Sequence, residues 1–222
     1  MRKSASELSG REAYSLLIDS IVPRPVAWVT SVSRDGAVNL APFSFFSGVS
    51  TRPPIVSLAI ASKPSEDSGG RRTFVPKDTT RNIAQRGDYI IHLAGAGLES
   101  QVLRSAEDHP PGTDVPELLG LKTVPGDWVD VPRLVAAPIA MECRMETLIE
   151  VGDPSTYLLL GEVIGWHVDD ALVDEDGRIW ADRWGPLTRL GVDGFAGGKS
   201  ASSDAPKNGS LTGRTGEDKH LK

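Results

Sequence analysis

The chain has 222 residues, of which 39% are hydrophobic and 24% charged, a composition that predicts a globular protein of one domain. Its 30 acidic residues outnumber the 24 basic ones, and the formal net charge of −6 disfavours nucleic acid and anionic lipid as general partners. The sequence contains no run of 18 apolar residues, so we expect no membrane span. Its single cysteine, Cys143, excludes an intrachain disulfide, and we therefore expect a cytoplasmic protein.

The two ends of the chain set the expected limits of the domain. Residues 1–9 begin with basic residues but lack the apolar core of a signal peptide, and we expect a loose leader. Beyond about Gly197 the chain has almost no apolar residues. We therefore predict one domain over residues 10–196 and a disordered tail over residues 197–222.

The first predicted elements are a capped helix and a β-hairpin. Ser9, with Glu12 three residues later, fits a capping box and predicts a short helix through Leu17. Residues 26–32 are rich in β-branched side chains and predict a buried strand. Arg34-Asp35-Gly36 then predicts a tight turn into a return strand.

Later segments also read mainly as strands and turns. Met141, Cys143 and Met145 alternate with charged residues such as Glu142, which predicts a half-buried strand over residues 139–151 with Cys143 inward. The remaining predictions are strands at residues 55–60, 89–93 and 156–168, short helices at 78–84 and 98–105, a flexible loop at 62–76, and a mostly irregular segment at 107–131 with a helical turn near 116–119. Many strands and few helices favour a mostly β fold, a small antiparallel barrel, over an α/β nucleotide-binding sheet.

Polar side chains occur within the apolar strand context of residues 39–47. Asn39 and Ser44 can donate hydrogen bonds, Pro42 exposes backbone, and three phenylalanines surround them. This mixture suits a planar heteroaromatic ligand, which needs apolar surface and a few placed donors. A barrel corner in which Asn39 and Ser44 only satisfy backbone groups explains the pattern equally well.

A second candidate site lies at the start of the helix predicted from Asp78, which we assign as the N-cap. A helix start offers free backbone N–H groups, Thr79 adds a hydroxyl, and Lys77 and Arg81 add positive charge, so this is a candidate phosphate site. An ordinary capped surface helix is the alternative. Arg24, between two prolines, is a further cation that would meet either a phosphate or a surface acid.

Motifs for nucleophilic, phosphate-loop and zinc-peptidase chemistry do not occur in the sequence, so we predict no catalytic side chain. The four histidines are far apart and not at metal-ligand spacing, and a zinc site would need carboxylates from scattered positions, so we predict no metal ligand. His92 and His167 lie in predicted strands and are interpreted as satisfied histidines of the barrel or of an interface.

Taken together, short motifs in the sequence resemble the flavin reductase-like, FMN-binding split-barrel family. The matching blocks are Pro23 to Thr30, Asn39 to Phe46, Arg52 to Pro54, Lys77 to Ile83, Glu142-Cys143, Gly161 to Val163, Asp174 to Arg178 and Leu187 to Gly191. The resemblance covers about residues 14–195. Two departures are His92, where relatives often carry Asn, and Gly191 to Phe195, which is looser than the family's Gly-Gly-x-x-Tyr ending.

The resemblance implies an antiparallel split barrel, a homodimer and one FMN per subunit near the interface, with FAD as the alternative flavin. It implies that residues 39–44 line the flavin and that residues 77–82 hold its phosphate. The cofactor-binding residues predicted in this way are Arg24, Thr30, Asn39, Ala41, Pro42, Ser44, Lys77, Asp78, Thr79 and Asn82. Asn39 and Lys77 are therefore expected to face one shared cleft.

The function expected from this resemblance is that of an NAD(P)H-dependent flavin reductase. A nicotinamide would give hydride to the flavin, which would pass electrons to free flavin, a partner oxygenase, iron or another acceptor. Two alternatives remain open at this point. One is a flavin-binding electron carrier or flavin store, and the other is a non-flavin binding module that keeps only the barrel.

Overall fold

A computed structural model describes residues 2–191 and 194–196, so the tail predicted over residues 197–222 lies outside the described part of the chain. The described helices are α1 (Gly10–Ser20), α2 (Asp78–Arg86), α3 (Glu99–Arg104) and α4 (Val115–Leu118), with 3-10 turns at Ala5–Glu7, Asp170–Leu172 and Ala181–Arg183. Among these residues, no helix combines the length and the apolar character needed to cross a membrane.

Strands account for most of the described elements. They are β1 (Arg24–Pro25), β2 (Ala27–Val32), β3 (Val38–Phe43), β4 (Phe46–Thr51), β5 (Pro54–Ala61), β6 (Lys63–Glu66), β7 (Arg72–Val75), β8 (Asp88–Leu93), β9 (Thr123–Pro125), β10 (Pro132–Leu134), β11 (Ile139–Val151), β12 (Thr156–Val168), β13 (Thr188–Leu190) and β14 (Gly194–Ala196). This composition confirms the prediction of a mostly β, antiparallel fold.

One seven-stranded antiparallel sheet forms the barrel, in the order β3-β2-β8-β11-β12-β5-β4. Alternate side chains of these strands fill its interior, and Ile83 of α2 packs into the same core. Cys143 is fully buried there, as predicted, beside the ring of Tyr89. A Cβ at Gly161 would lie 1.8 Å from the Tyr89 hydroxyl oxygen, so only glycine leaves room for that ring.

Local sequence signals set the first elements as expected. The Ser9 side chain accepts a hydrogen bond from the Glu12 N–H at 3.2 Å, and the Glu12 carboxylate accepts one from the Ser9 N–H at 2.9 Å, which completes the capping box of α1. Gly36 has a φ of 91°, which closes the predicted hairpin between β2 and β3.

Three predictions of local structure were wrong, and one strand was missed. Residues 62–76 form the hairpin β6–β7 rather than a loop, because the Asp67 carboxylate accepts hydrogen bonds from the N–H groups of Gly69 and Arg71 and so fixes the turn. Strand β4 was not predicted at all. The N-cap of α2 is Lys77 rather than Asp78. Glu142 is fully buried instead of lying on an exposed face.

The outer face of β2, β8 and β11 is covered by residues 126–134, and polar contacts hold this covering segment in place. Thr30 donates a hydrogen bond to the Pro132 carbonyl oxygen at 2.8 Å. The Leu134 N–H donates to Nε2 of His92 at 2.9 Å, which leaves the His92 proton on Nδ1 for the Trp28 carbonyl at 2.9 Å. Burial lowers the pKa of His92 to about 3, so this ring is a neutral, satisfied barrel histidine.

Candidate functional site

A cleft with about 1210 Å³ of empty space, its open mouth included, lies beside β3 and the start of α2. Seven of the ten predicted cofactor-binding residues line it: Asn39, Ala41, Pro42, Lys77, Asp78, Thr79 and Asn82. Asn39 and Lys77 thus share one cleft within a single subunit. The other wall is formed by residues 105–113.

Two amide side chains fix the start of α2 against the sheet. In β3, Asn39 lies between the buried Val38 and Leu40, so the alternation of the strand turns its side chain to the opposite face. Its Nδ2 donates to Oγ1 of Thr79 at 2.8 Å. Asn82, one turn further along the helix, donates to Oγ of Ser31 at 3.1 Å. These bonds hold the helix start and the strand as two sides of one site.

The first turn of α2 has the features of an anion site. No side chain within the described residues caps this helix, so its first backbone N–H groups are not satisfied by a cap. The Asp78 carboxylate instead pairs with Nζ of Lys63 at 3.3 Å and with the guanidinium of Arg81. Asp78 therefore holds two cations near the helix start and does not itself offer a group that binds an anion.

Lys77 brings a positive charge directly to this helix start. Its Nζ lies 6.0 Å from the centroid of the Phe43 ring. Desolvation lowers the pKa of Lys77; the negative charge of Asp108 works against that shift, and the nearby Lys63 adds to it. A cation in such surroundings gains from an incoming anion, because the anion replaces the hydration that the cation has partly lost.

The far wall of the cleft was not recognised as part of a site from the sequence. It starts at Ser105, whose Oγ accepts a hydrogen bond from Nε1 of Trp28 at 2.8 Å. The wall residues are Ser105, Ala106, Glu107, Asp108, His109, Pro110, Pro111, Gly112 and Thr113. Their Pro- and Gly-rich composition predicts only an irregular segment, and no residue type in it signals a ligand.

Three of the ten predicted residues do not line this cleft. Arg24 is only 3% exposed, and its guanidinium donates to the carbonyl oxygens of Ile18, Ile21 and Gly191, which occupy it within the chain. The alternative that Arg24 pairs with a surface acid is therefore wrong, while its assignment as a cofactor-binding residue stays a prediction that this cleft does not support. Thr30 is also fully buried, with its hydroxyl bound to the covering segment.

Ser44 lines a smaller neighbouring pocket with about 340 Å³ of empty space, its open mouth included. This cavity and the cleft share Pro42 and Ala106 as wall residues. The remaining lining is mostly apolar, with Phe43 and Phe195 among its residues. Strand β3 and the residue that follows it thus contribute to two adjoining cavities, one with polar walls beside a helix start and one with apolar walls.

Comparison with known proteins places this geometry in a family. Residues 19–184 match the flavin reductase like domain. An uncharacterized protein from Halalkalibacterium halodurans is 34% identical over 93% of this chain and 97% of its own length. Nitrilotriacetate monooxygenase component B from Bacillus cereus is 32% identical, with a TM-score of 0.80 over 91% of this chain and 97% of that one.

A second solved structure agrees with this assignment. The 2-nitrobenzoate 2-nitroreductase of Pseudomonas fluorescens is 26% identical, with a TM-score of 0.77 over 94% of this chain and all of that one. The split-barrel prediction is confirmed by a flavin reductase-type structure from Shewanella frigidimarina with a TM-score of 0.75. The chain therefore belongs to the flavin reductase-like domain family and is a flavin-related oxidoreductase.

Proposed function

We propose that the chain binds FMN in the cleft beside α2 and takes hydride from NADH or NADPH as a flavin reductase. The observation that carries the proposal is the meeting, in one cleft, of an uncapped helix start and a strand that presents a carboxamide next to apolar surface. The first fits a phosphate and the second fits a heteroaromatic ring.

The phosphate end of the flavin would lie at the first turn of α2. The uncapped N–H groups can donate to phosphate oxygens, and Lys77 adds a cation whose lowered pKa reflects lost hydration. Because the Thr79 hydroxyl oxygen accepts from Asn39, its hydrogen is available to donate to an anion. All these groups are donors, which is the chemistry that a phosphate requires.

The ring system would lie along β3 and the residue after it. Asn39 uses one amide N–H on Thr79, and among the described residues its other N–H and its oxygen have no partner. Ala41 and Pro42 supply apolar wall. A bound flavin supplies the hydride-transfer chemistry, and the residues of the chain bind and orient it. Hydride transfer of this kind needs no catalytic acid or base from the chain, which agrees with the lack of such a motif in the sequence.

The proposal is tested by purifying the protein, reconstituting it with FMN and titrating it anaerobically with NADH and NADPH. We expect a yellow protein that bleaches with at least one nucleotide. Chromatography of the flavin released on denaturation, after separate loading with FMN and FAD, identifies the preferred cofactor. A protein that takes up neither flavin contradicts the proposal, and a flavin that bleaches only with dithionite supports the electron-carrier alternative instead.

We also propose a homodimer that hands reduced flavin to a partner oxygenase in the cytoplasm. Helix α1 and the residues after it expose Tyr14, Leu17, Ile21 and Val22, an apolar surface that a second subunit can cover. The similar Bacillus cereus protein is itself component B of a monooxygenase. Light scattering of the purified protein tests the dimer, and a mass of one chain at micromolar concentration contradicts it.

A further inference from the structure

Three side chains of the types that bind metal ions lie close together on the outer side of the sheet, although they are far apart in the sequence. They are Asp127 in the covering segment, Glu142 in β11 and His167 in β12, and one potential ligand atom from each lies within 4.8 Å of the others. Nε2 of His167 is 2.6 Å from Oε1 of Glu142 and 3.8 Å from Oδ2 of Asp127. The prediction of no metal ligand rested on sequence spacing, and the fold brings together three residues that are far apart in the sequence.

The buried member of this cluster is held rigidly. Glu142 has no exposed surface, and its carboxylate accepts hydrogen bonds from the N–H groups of Asp127, Trp128 and Val129 at 2.8, 2.6 and 2.9 Å. These three backbone donors fix the position of the carboxylate. The cluster therefore contains a rigidly held oxygen ligand.

Packing also fixes the imidazole beside it. The Trp128 ring lies 5.3 Å from the His167 ring at an angle of 47°. A Cβ at Gly165 would come within 2.1 Å of the same indole, so glycine at this position lets Trp128 close over β12. Asp127 differs from Glu142 and His167, because its side chain is 67% exposed and makes no hydrogen bond with the described residues. Solvent can therefore reach the cluster at Asp127.

The cluster is separate from the proposed flavin site. In the sheet register, His167 pairs with Ala140, Ala140 with His92, His92 with Trp28 and Trp28 with Pro42 of the cleft. Four strand spacings separate the ends of this row, which is roughly 19 Å along the sheet. A ligand at the cluster would therefore not touch a flavin beside α2.

We propose that Asp127, Glu142 and His167 bind a divalent transition-metal cation such as Zn²⁺. In four-coordinate zinc sites with bonds of about 2.0–2.1 Å, neighbouring ligand atoms are roughly 3.3 Å apart, between the two distances seen at His167. The cation takes the place of the proton between Nε2 of His167 and Glu142, the proton of the neutral imidazole ligand then lies on Nδ1, and any second ring proton leaves to solvent. Two carboxylates balance the divalent charge, and water completes the coordination at the exposed side.

The fit needs movements of about 1.5 Å or less. His167 and Glu142 have to separate by about 0.7 Å to reach the spacing of zinc ligands, while the exposed Asp127 has to approach His167 by about 0.5 Å. The ligand atoms of Asp127 and Glu142 lie within 4.8 Å of each other and have to approach by up to about 1.5 Å. Glu142 keeps its backbone N–H donors throughout, and these donors then serve as the outer contacts that orient a metal-bound carboxylate. The bound ion would link the covering segment to β11 and β12.

The test uses the full, untagged chain dialysed against chelator and then titrated with Co²⁺ and with Zn²⁺. We expect one Co²⁺ per chain with visible absorption bands of a low-coordinate site, displaced by Zn²⁺, and a higher melting temperature with Zn²⁺. Asp127→Asn removes the exposed ligand and leaves the Glu142–His167 pair intact. His167→Gln removes the imidazole but keeps a side-chain donor for Glu142.

Asp130→Asn is the matched control, since Asp130 is an exposed acid of the same segment that pairs with Arg86 at 3.1 Å, outside the cluster. Loss of an outer contact weakens metal binding about 10–100-fold, so each ligand variant should lose at least about 10-fold in Co²⁺ affinity while the control is unchanged. Wild-type protein that binds no Co²⁺, or binding that both ligand variants retain, overturns the proposal. Flavin uptake measured on the same samples tests the proposed function separately.

Discussion

In the cleft beside α2, donor groups face open space, whereas beneath residues 126–134 the buried Thr30, His92 and Glu142 have partners within the chain. Both regions hold polar side chains on strands that otherwise look apolar in the sequence. They differ in whether the hydrogen-bonding capacity is used internally or left for a ligand. Removing a polar group is therefore expected to lower stability in the covered region and ligand affinity in the cleft.

The largest effect is expected from Glu142→Ala beneath the covering segment. The change leaves three backbone N–H groups and the His167 ring without their acceptor, and breaking a buried charged pair typically costs about 3–5 kcal/mol. Urea unfolding should show this loss in the free energy of unfolding. Flavin affinity of the protein that remains folded should be unchanged, and a marked loss of affinity without loss of stability would contradict the distinction between the regions.

The opposite pattern is expected for Lys77→Ala in the cleft. A hydrogen bond or close contact with a charged group is worth about 1.5–3 kcal/mol, so FMN should bind about 10- to 150-fold more weakly, with little change in unfolding free energy. Riboflavin, which lacks the phosphate, should bind the variant and the wild type equally. Lys122→Ala, at an exposed position outside the cleft, is the control in fluorescence titrations. Equal weakening of riboflavin would place the lysine effect away from the phosphate.

A pH experiment tests the covered region through His92. Its pKa in the folded state, about 3, lies below the value of about 6.5 expected in the unfolded chain, so the unfolded chain binds the extra proton. This contribution to stability is complete above pH 6.5 and declines as the pH falls toward 3, by up to about 1.4 kcal/mol per pH unit.

Urea unfolding between pH 8 and pH 5 should show this decline, because carboxylates with ordinary or lowered pKa values titrate mostly below that window. His92→Asn should make the free energy of unfolding depend less on pH, and it should also lower the free energy of unfolding at pH 8. The control is His109→Asn, because the His109 ring, near the surface, hydrogen-bonds to the Arg104 carbonyl oxygen, and this variant should keep the slope of the wild type. A wild-type stability that is constant over this range contradicts the neutral, buried state of His92.

The same contrast explains how far the sequence alone could reach. Strands β11 and β12 were predicted with their observed bounds, because alternation of side chains and a Gly-Asp-Pro-Ser turn are local signals. The cleft residues of β3 and α2 were chosen partly by chemical type and partly from the family resemblance, and the fold brings them together. Alternation also assigns Glu142 to the face opposite Cys143, but it does not tell which segment covers that face.

Long-range contacts account for most of what the sequence did not reveal. Arg24 was interpreted as a cation for a ligand, yet its guanidinium binds the Gly191 carbonyl, 167 residues away in the chain. The wall at residues 105–113 depends on the bond from Trp28 to Ser105, across 77 residues. Such pairings leave no local pattern, since a free cation and a satisfied one have the same neighbours in the sequence.

The smallest effect, and the sharpest test of the cleft, concerns Asn39. The sequence left open whether this side chain contacts a ligand or only satisfies its surroundings, and in the fold it bonds to Thr79 at 2.8 Å. Asn39→Ala removes both roles, whereas Thr79→Val removes the acceptor and keeps the carboxamide in the cleft. If Asn39 serves the flavin ring, Asn39→Ala should weaken riboflavin binding by about 0.5–1.5 kcal/mol, the worth of one neutral hydrogen bond, and Thr79→Val should not. Equal losses in the two variants would mean that Asn39 acts only by holding the helix start. Its carboxamide would then serve the fold, as the buried polar side chains of the covered region do, and the contrast between the two regions would not extend to Asn39.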